Sequence, residues 1–144
     1  MKAICLWQPW PWLIFRPDIK ERERILDSHV AKDCENRPVH WKHTGELVLC
    51  ATLKLDPNLD TLRADLFARH GIVMPEKFDT GGIVGVVTVG PMMDRSESPW
   101  FTGPFAWPII KRRIVPFQTM TGRQGLFELK PNYEKYVKDE LAKL

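Results

Sequence analysis

The sequence predicts an α+β chain, a small mixed β-barrel with flanking helices, and three observations predict it. Five or six short strands follow one another at uneven spacing. Two of them, Lys2–Trp7 and Ile83–Val89, are apolar on both faces and so suit the interior of a sheet. The helical segments are inserted among the strands instead of alternating with them one for one. At 144 residues, with no internal repeat, linker or low-complexity tract, residues 1–144 read as one domain long enough to bury a core.

The first strand, Lys2 to Trp7, puts Ala3, Cys5 and Trp7 on one face and Ile4 and Leu6 on the other. Pro9 and Pro11 suit the first turn of a short helix from Pro9 to Phe15, where a missing N–H costs nothing, and Pro17 ends it. Charge dominates Asp18 to Lys32, and about 17–31 reads as a surface helix or insertion. From Glu46 to Lys54 apolar residues alternate, with Leu47, Leu49, Ala51 and Leu53 on one face, which predicts a half-buried strand. Asp56-Pro57 offers an N-cap and an N1 proline for a helix from Pro57 to His70, with Leu59, Leu62 and Leu66 as its stripe and Gly71 as its C-cap. Gly81-Gly82 introduces the strand Ile83–Val89, in which Gly85 leaves room for a close approach to the backbone. Phe105 to Val115 is a further strand that Pro108 confines to an edge or a bulge. Leu126 to Leu129 is the last strand, and Pro131 opens a helix to about 143 whose apolar face is Tyr133, Tyr136, Val137, Leu141 and Leu144.

Composition narrows the function. No stretch is apolar for long enough to span a bilayer, and the N-terminus lacks a secretory pattern, so a cytoplasmic protein with no membrane partner is expected. Three cysteines at no ligand-like spacing imply a reducing compartment without a disulfide framework. His40 and His43 lack the acid or CxxC partner a metal site needs, and no metal or cofactor is expected. Net charge +3 permits a polyanionic partner but falls short of a dedicated duplex binder. Six tryptophans are more telling, because indoles are costly to expose and serve as stacking surfaces for flat ligands.

The chain centres on Lys32-Asp33-Cys34-Glu35-Asn36-Arg37. In extended backbone Glu35 and Arg37 share a face, and Lys32 joins them if the chain turns first. Alone, the trio reads as a surface ion-pair cluster. Its company points further: Trp7-Gln8-Pro9-Trp10 at the end of the first strand, Gly45-Glu46-Leu47-Val48-Leu49-Cys50-Ala51 after it, and Gly82-Ile83-Val84-Gly85-Val86 as the next core strand. With Lys32-x-x-Glu35-x-Arg37, these resemble an ASCH-domain protein of the PUA-like superfamily. Trp100-Phe101-x-Gly103-Pro104-Phe105-x-Trp107 and Gly122-x-x-Gly125-Leu126-Phe127 are similar to a subset of such proteins. Where the family has Gly-x-Lys, this chain has Val30.

The resemblance implies a PUA-like barrel whose cleft brings the Lys/Glu/Arg cluster to aromatic residues, acting on RNA or nucleotides. The residue types fit such a ligand. A base needs a flat apolar wall with a few fixed donors and acceptors, and a phosphate prefers a planar bidentate cation. Trp10, Trp100 or Trp107 would be the wall, Gln8, Asn36 and Glu35 the readers, and Arg37 or Lys32 the phosphate contact. Arg112, Arg113 and Arg123 would follow the nucleic-acid backbone. Structural roles stand beside these: Trp7 and Trp107 suit the core, Gln8 a strand end, Asn36 a turn, and Arg37 with Glu35 a strand lock. Placed at a cleft rim, Lys32 and Arg37 are expected to be replaceable by alanine with little loss of stability, whereas Val86→Ala costs about 1–3 kcal/mol.

The leading expectation is a reader of single-stranded RNA or a modified nucleobase. One alternative is a small hydrolase. Relatives acting on acylated cytidine use a lysine, a threonine and a glutamate, but here Glu35 stands at the threonine position and Gly82–Gly90 holds no carboxylate. A ribonuclease would use Lys32 to stabilise a phosphorane and Glu35 as general base. The other alternative is a protein-interaction module in transcription regulation, marked by an exposed apolar patch.

Overall fold

The structure, a computed structural model, describes residues 1–20 and 30–144. Among them are six strands, β1 (Lys2–Gln8), β2 (Cys34–Arg37), β3 (Gly45–Leu55), β4 (Gly82–Val89), β5 (Phe105–Thr119) and β6 (Phe127–Glu128). Three helices accompany them: α1 (Trp10–Phe15), α2 (Leu59–His70) and α3 (Pro131–Ala142). The charged segment expected at about 17–31 falls mostly on residues 21–29, outside the described residues.

The strands form one mixed sheet in the order β2-β5-β4-β3-β1-β6. β1 runs parallel to β3 and the other pairs are antiparallel. β5 carries the sheet round: Phe105–Pro108 pair with β2, and Ile109–Thr119 pair with β4. Pro108, which has no N–H for a second ladder, sits where one pairing gives way to the other, beside a register shift at Thr88/Val89. β6 reaches only Lys2 and Ala3 of β1, so the rest of that side of β1 is left without a strand neighbour among the described residues. The expected barrel is therefore a curled half-barrel, open between β1 and β2.

Cores lie on both faces of the sheet. Inside the curl Ile4, Leu6, Leu47, Leu49, Val87 and Trp107 meet Ile14 and Phe15 of α1. The ring of Phe15 occupies the space that Gly85 leaves open: a Cβ there would lie 2.6 Å from Phe15 Cζ. On the other face Ala3, Val48, Cys50, Ile83 and Val86 are covered by Val137 and its neighbours on α3. β3 is consequently buried on both faces at Leu47–Ala51, not half-buried, and Leu53, expected inside, is exposed because the covering stops short of it. Leu144, expected on the apolar face of α3, is also exposed. A third cluster packs Leu66 of α2 against Leu13, Cys34, Trp100 and Ala106, which hangs α2 over the open edge.

α2 starts at Leu59, not Pro57, with Asn58 at the cap position. Asp56, expected to be the N-cap, uses one carboxylate oxygen to accept the Asn58 N–H (2.8 Å) and the other to accept the indole N–H of Trp10 (2.8 Å). None of the helices among the described residues is long and apolar enough to cross a membrane.

Candidate functional site

The Lys32 main chain is held from two sides before its side chain is considered. Its N–H donates to the Leu13 carbonyl at the end of α1 (2.9 Å), and its carbonyl accepts from Arg112 Nη2 of β5 (2.8 Å). The side chain then points inward, and Nζ lies 2.7 Å from Glu35 Oε1 and 5.1 Å from the centre of the Trp10 ring. Lys32 is 3% exposed and Glu35 7%. This corrects the expectation of a rim: the pair is buried, and the lysine is satisfied by a carboxylate and an aromatic face together. Glu35 Oε2 lies 3.7 Å from Arg37 Nη1, and the Arg37 guanidinium sits 5.2 Å from the Trp41 ring. Arg37 Nε is buried without a hydrogen-bond partner.

Two cavities meet at this cluster and share Trp10, Glu35 and Asn36 as lining. The first, about 410 Å³, lies between Lys32, Trp100 and one flank of α2. Its Trp100 ring stacks on His70, 5.4 Å between centroids with the planes 25° apart. The second, about 610 Å³, lies on the β1 side and is lined by Cys5, Trp7, Arg37, Thr52 and Arg123. The first is aromatic and capped by a helix; the second is polar and carries two arginines.

Several expected site residues turn out to be scaffolding. Trp107, expected in the ligand wall, is fully buried, stacks on Trp41 (5.4 Å) and donates its indole N–H to the His43 carbonyl. The register of β2 on β5 sets Trp107 opposite Glu35 and turns its ring into the curl. Trp7, which suits the core by its strand position, is instead 46% exposed beside the second cavity. Gln8 does not face the cleft as a reader: it donates to the Asp79 carbonyl (3.0 Å) and accepts the Trp12 N–H (3.0 Å). Asn36 lines both cavities, but its amide donates to the Trp100 carbonyl (2.9 Å) and its oxygen accepts the N–H groups of Thr102 (2.9 Å) and Gly103 (3.2 Å). It holds the loop that presents Trp100.

The three basic positions differ. Arg112 is turned inward to the Lys32 carbonyl, and Arg113 pairs with Glu46. Neither lines the two cavities, whereas Arg123 is exposed and lines the second. The α2 contribution was missed. Asp65, Arg69 and His70 line the first cavity, and the signal was available, because they flank the Leu62/Leu66 stripe at helical spacing.

Ser98 accepts the Trp100 N–H (3.1 Å) and donates to Asp33, so it braces the loop. His43 contacts the Glu46 carbonyl and His40 packs on the edge of Phe105. Among the described residues no three His, Cys, Asp or Glu side chains gather as a metal site would require. Chemically, the cluster offers fixed charge, a planar cation and indole faces around two joined spaces. No family model matches the chain, and no curated protein matches it.

Proposed function

We propose that the chain is a PUA-like, ASCH-type reader that binds single-stranded RNA or a modified nucleobase in the cleft between β1 and β2, in the cytoplasm. The observation that carries this reading is the buried Lys32–Glu35 pair set against Trp10, at the junction of an aromatic cavity and an arginine-lined one. A base stacks between Trp10 and Trp100, where indoles tolerate any flat ring and Lys32 or Glu35 supplies a directional contact. The backbone phosphates follow Arg37 and Arg123 on the β1 side, where exposed Trp7 offers a further stacking face.

Binding without turnover suits this arrangement. Lys32 Nζ and Arg37 Nη1 lie 2.7 and 3.7 Å from the two oxygens of Glu35, so the trio is a set of paired charges fixed in place, which suits holding a ligand. The Ser98 hydroxyl has Asp33 and the Trp100 N–H as partners, and Thr52 in the wall of the second cavity donates to the Lys54 carbonyl, so neither hydroxyl has a histidine among these bonds.

Titration of short single-stranded RNAs and of N4-acetylcytidine, followed by tryptophan fluorescence, tests the reading. Affinity for RNA is expected to be weak and to fall as salt rises, and Arg123→Gln is expected to lower the slope of log K on log salt by about 1 while the fold is unchanged. A slope near zero, or no binding to any oligonucleotide at low salt, overturns the reading. Hydrolysed product formed by the wild type and lost in Arg37→Gln would replace it with the hydrolase alternative.

A further inference from the structure

We infer that Cys5 is a modification site, an oxidant-sensitive thiol in the wall of the arginine-lined cavity, and that Cys50 is the partner that converts its first oxidation product into a disulfide between β1 and β3. The inference needs no ligand in the cleft and stands apart from the reading above.

Geometry supplies the pairing. Cys5 and Cys50 are direct register partners on neighbouring parallel strands, so their side chains leave the same face of the sheet. Adjacent strands lie about 4.8 Å apart, inside the roughly 4.4–6.8 Å between Cα atoms that a disulfide spans. Access separates their roles: Cys50 is 1% exposed, whereas Cys5 is partly exposed and lines the cavity. The chain over Cys5 is shaped to leave its sulfur room, since a Cβ on Gly122 would come within 2.6 Å of Sγ.

Reactivity follows the same division. Donation from Cys50 and from the Arg123 backbone N–H outweighs burial and lowers the Cys5 thiol to about 7, while the buried Cys50 thiol is raised. Burial pushes Cys34 up to about 11. Near neutral pH Cys5 is therefore the cysteine with substantial thiolate, the form that attacks. With hydrogen peroxide as oxidant, the Cys5 thiolate attacks one oxygen: an S–O bond forms, the O–O bond breaks, and hydroxide leaves and is protonated to water. The Cys50 sulfur then attacks the sulfenic sulfur: the S–S bond forms, the S–O bond breaks, and hydroxide leaves with the Cys50 proton as a second water. Two thiols and one peroxide give one disulfide and two waters.

The reduced wild-type protein treated with hydrogen peroxide at pH 7 and mapped by non-reducing peptide mass spectrometry is expected to carry a Cys5–Cys50 cross-link with Cys34 still free. In Cys50→Ala the reaction is expected to stop at a sulfenic acid on Cys5, captured by a cyclic 1,3-diketone, and Cys5→Ser is expected to give no capture. Alkylation of Cys5 by iodoacetamide is expected to rise with pH to half its maximum near pH 7. In Cys50→Ala that midpoint moves upward, because the S–H donor that favours the thiolate is gone. A cross-link through Cys34, modification of Cys34 before Cys5, or a Cys5 that resists peroxide or passes to sulfinic acid with Cys50 still reduced overturns the inference. The wild-type map alone decides it should either variant fold poorly.

Discussion

Glu35→Ala is expected to destabilise the protein by about 3–5 kcal/mol, the scale seen when one partner of a buried ion pair is removed. The lysine it leaves behind has 4% of its side chain exposed and keeps the face of Trp10 beside its ammonium. Lys32 cannot swing to water without releasing its backbone, because Leu13 and Arg112 hold its N–H and carbonyl. Lys32→Ala should cost less than Glu35→Ala, since Glu35 keeps Arg37 at 3.7 Å as a second cation. Replacing both, as Lys32→Met with Glu35→Leu, should recover most of the loss, because a well-packed apolar pair avoids the desolvation that the ions suffer. Urea unfolding of the three variants, with slopes compared to confirm two-state behaviour, gives the ranking. A Glu35→Ala cost below about 1 kcal/mol would return the pair to the class of exposed bridges.

The spacing of Lys32, Glu35 and Arg37 was legible because extended backbone puts alternate residues on one face, a local rule that needs no partner strand. Their burial was not, because it depends on Leu13 and Arg112, one before the charged segment and one on a distant strand. Trp100 and Trp107 show the same limit within eight residues of sequence. Both are buried indoles beside prolines, yet the β2–β5 register turns one into the curl while Asn36 and Ser98 hold the other at a cavity. Asn36 and Gln8 carry the right chemistry for readers, and only long-range hydrogen bonds reveal that their amides are committed to backbone groups. β3 misled in the opposite sense: its alternation looked half-buried because the helix that covers its second face comes some eighty residues later. Asp56 reads as a helix cap from its neighbours alone, but its second carboxylate oxygen accepts the indole N–H of Trp10, a partner distant in sequence.

Phe15→Ala is expected to cost about 3–5 kcal/mol, and Gly85→Ala about 1–3 kcal/mol, for reasons that meet at one point in space. Phe15 is 1% exposed, and its ring fills the volume over Gly85, so truncating it opens a cavity in the core. An alanine methyl at position 85 would instead lie 2.6 Å from Phe15 Cζ and 2.7 Å from the Arg113 carbonyl oxygen, closer than real Cβ contacts come. The double variant should therefore be more stable than the sum of the two losses allows. The methyl then enters space the ring has vacated, although the Arg113 contact remains, and coupling of at least about 0.5 kcal/mol is expected for residues in direct contact. The coupling bears on the cleft, because Phe15 anchors α1, whose other end carries Trp10 and whose Leu13 carbonyl holds Lys32. Loosening Phe15 should accordingly alter Trp10 fluorescence and weaken ligand binding along with stability. Strictly additive losses across the double-mutant cycle would mean that Gly85 is required by the β4–β5 ladder alone and that α1 docks independently of it.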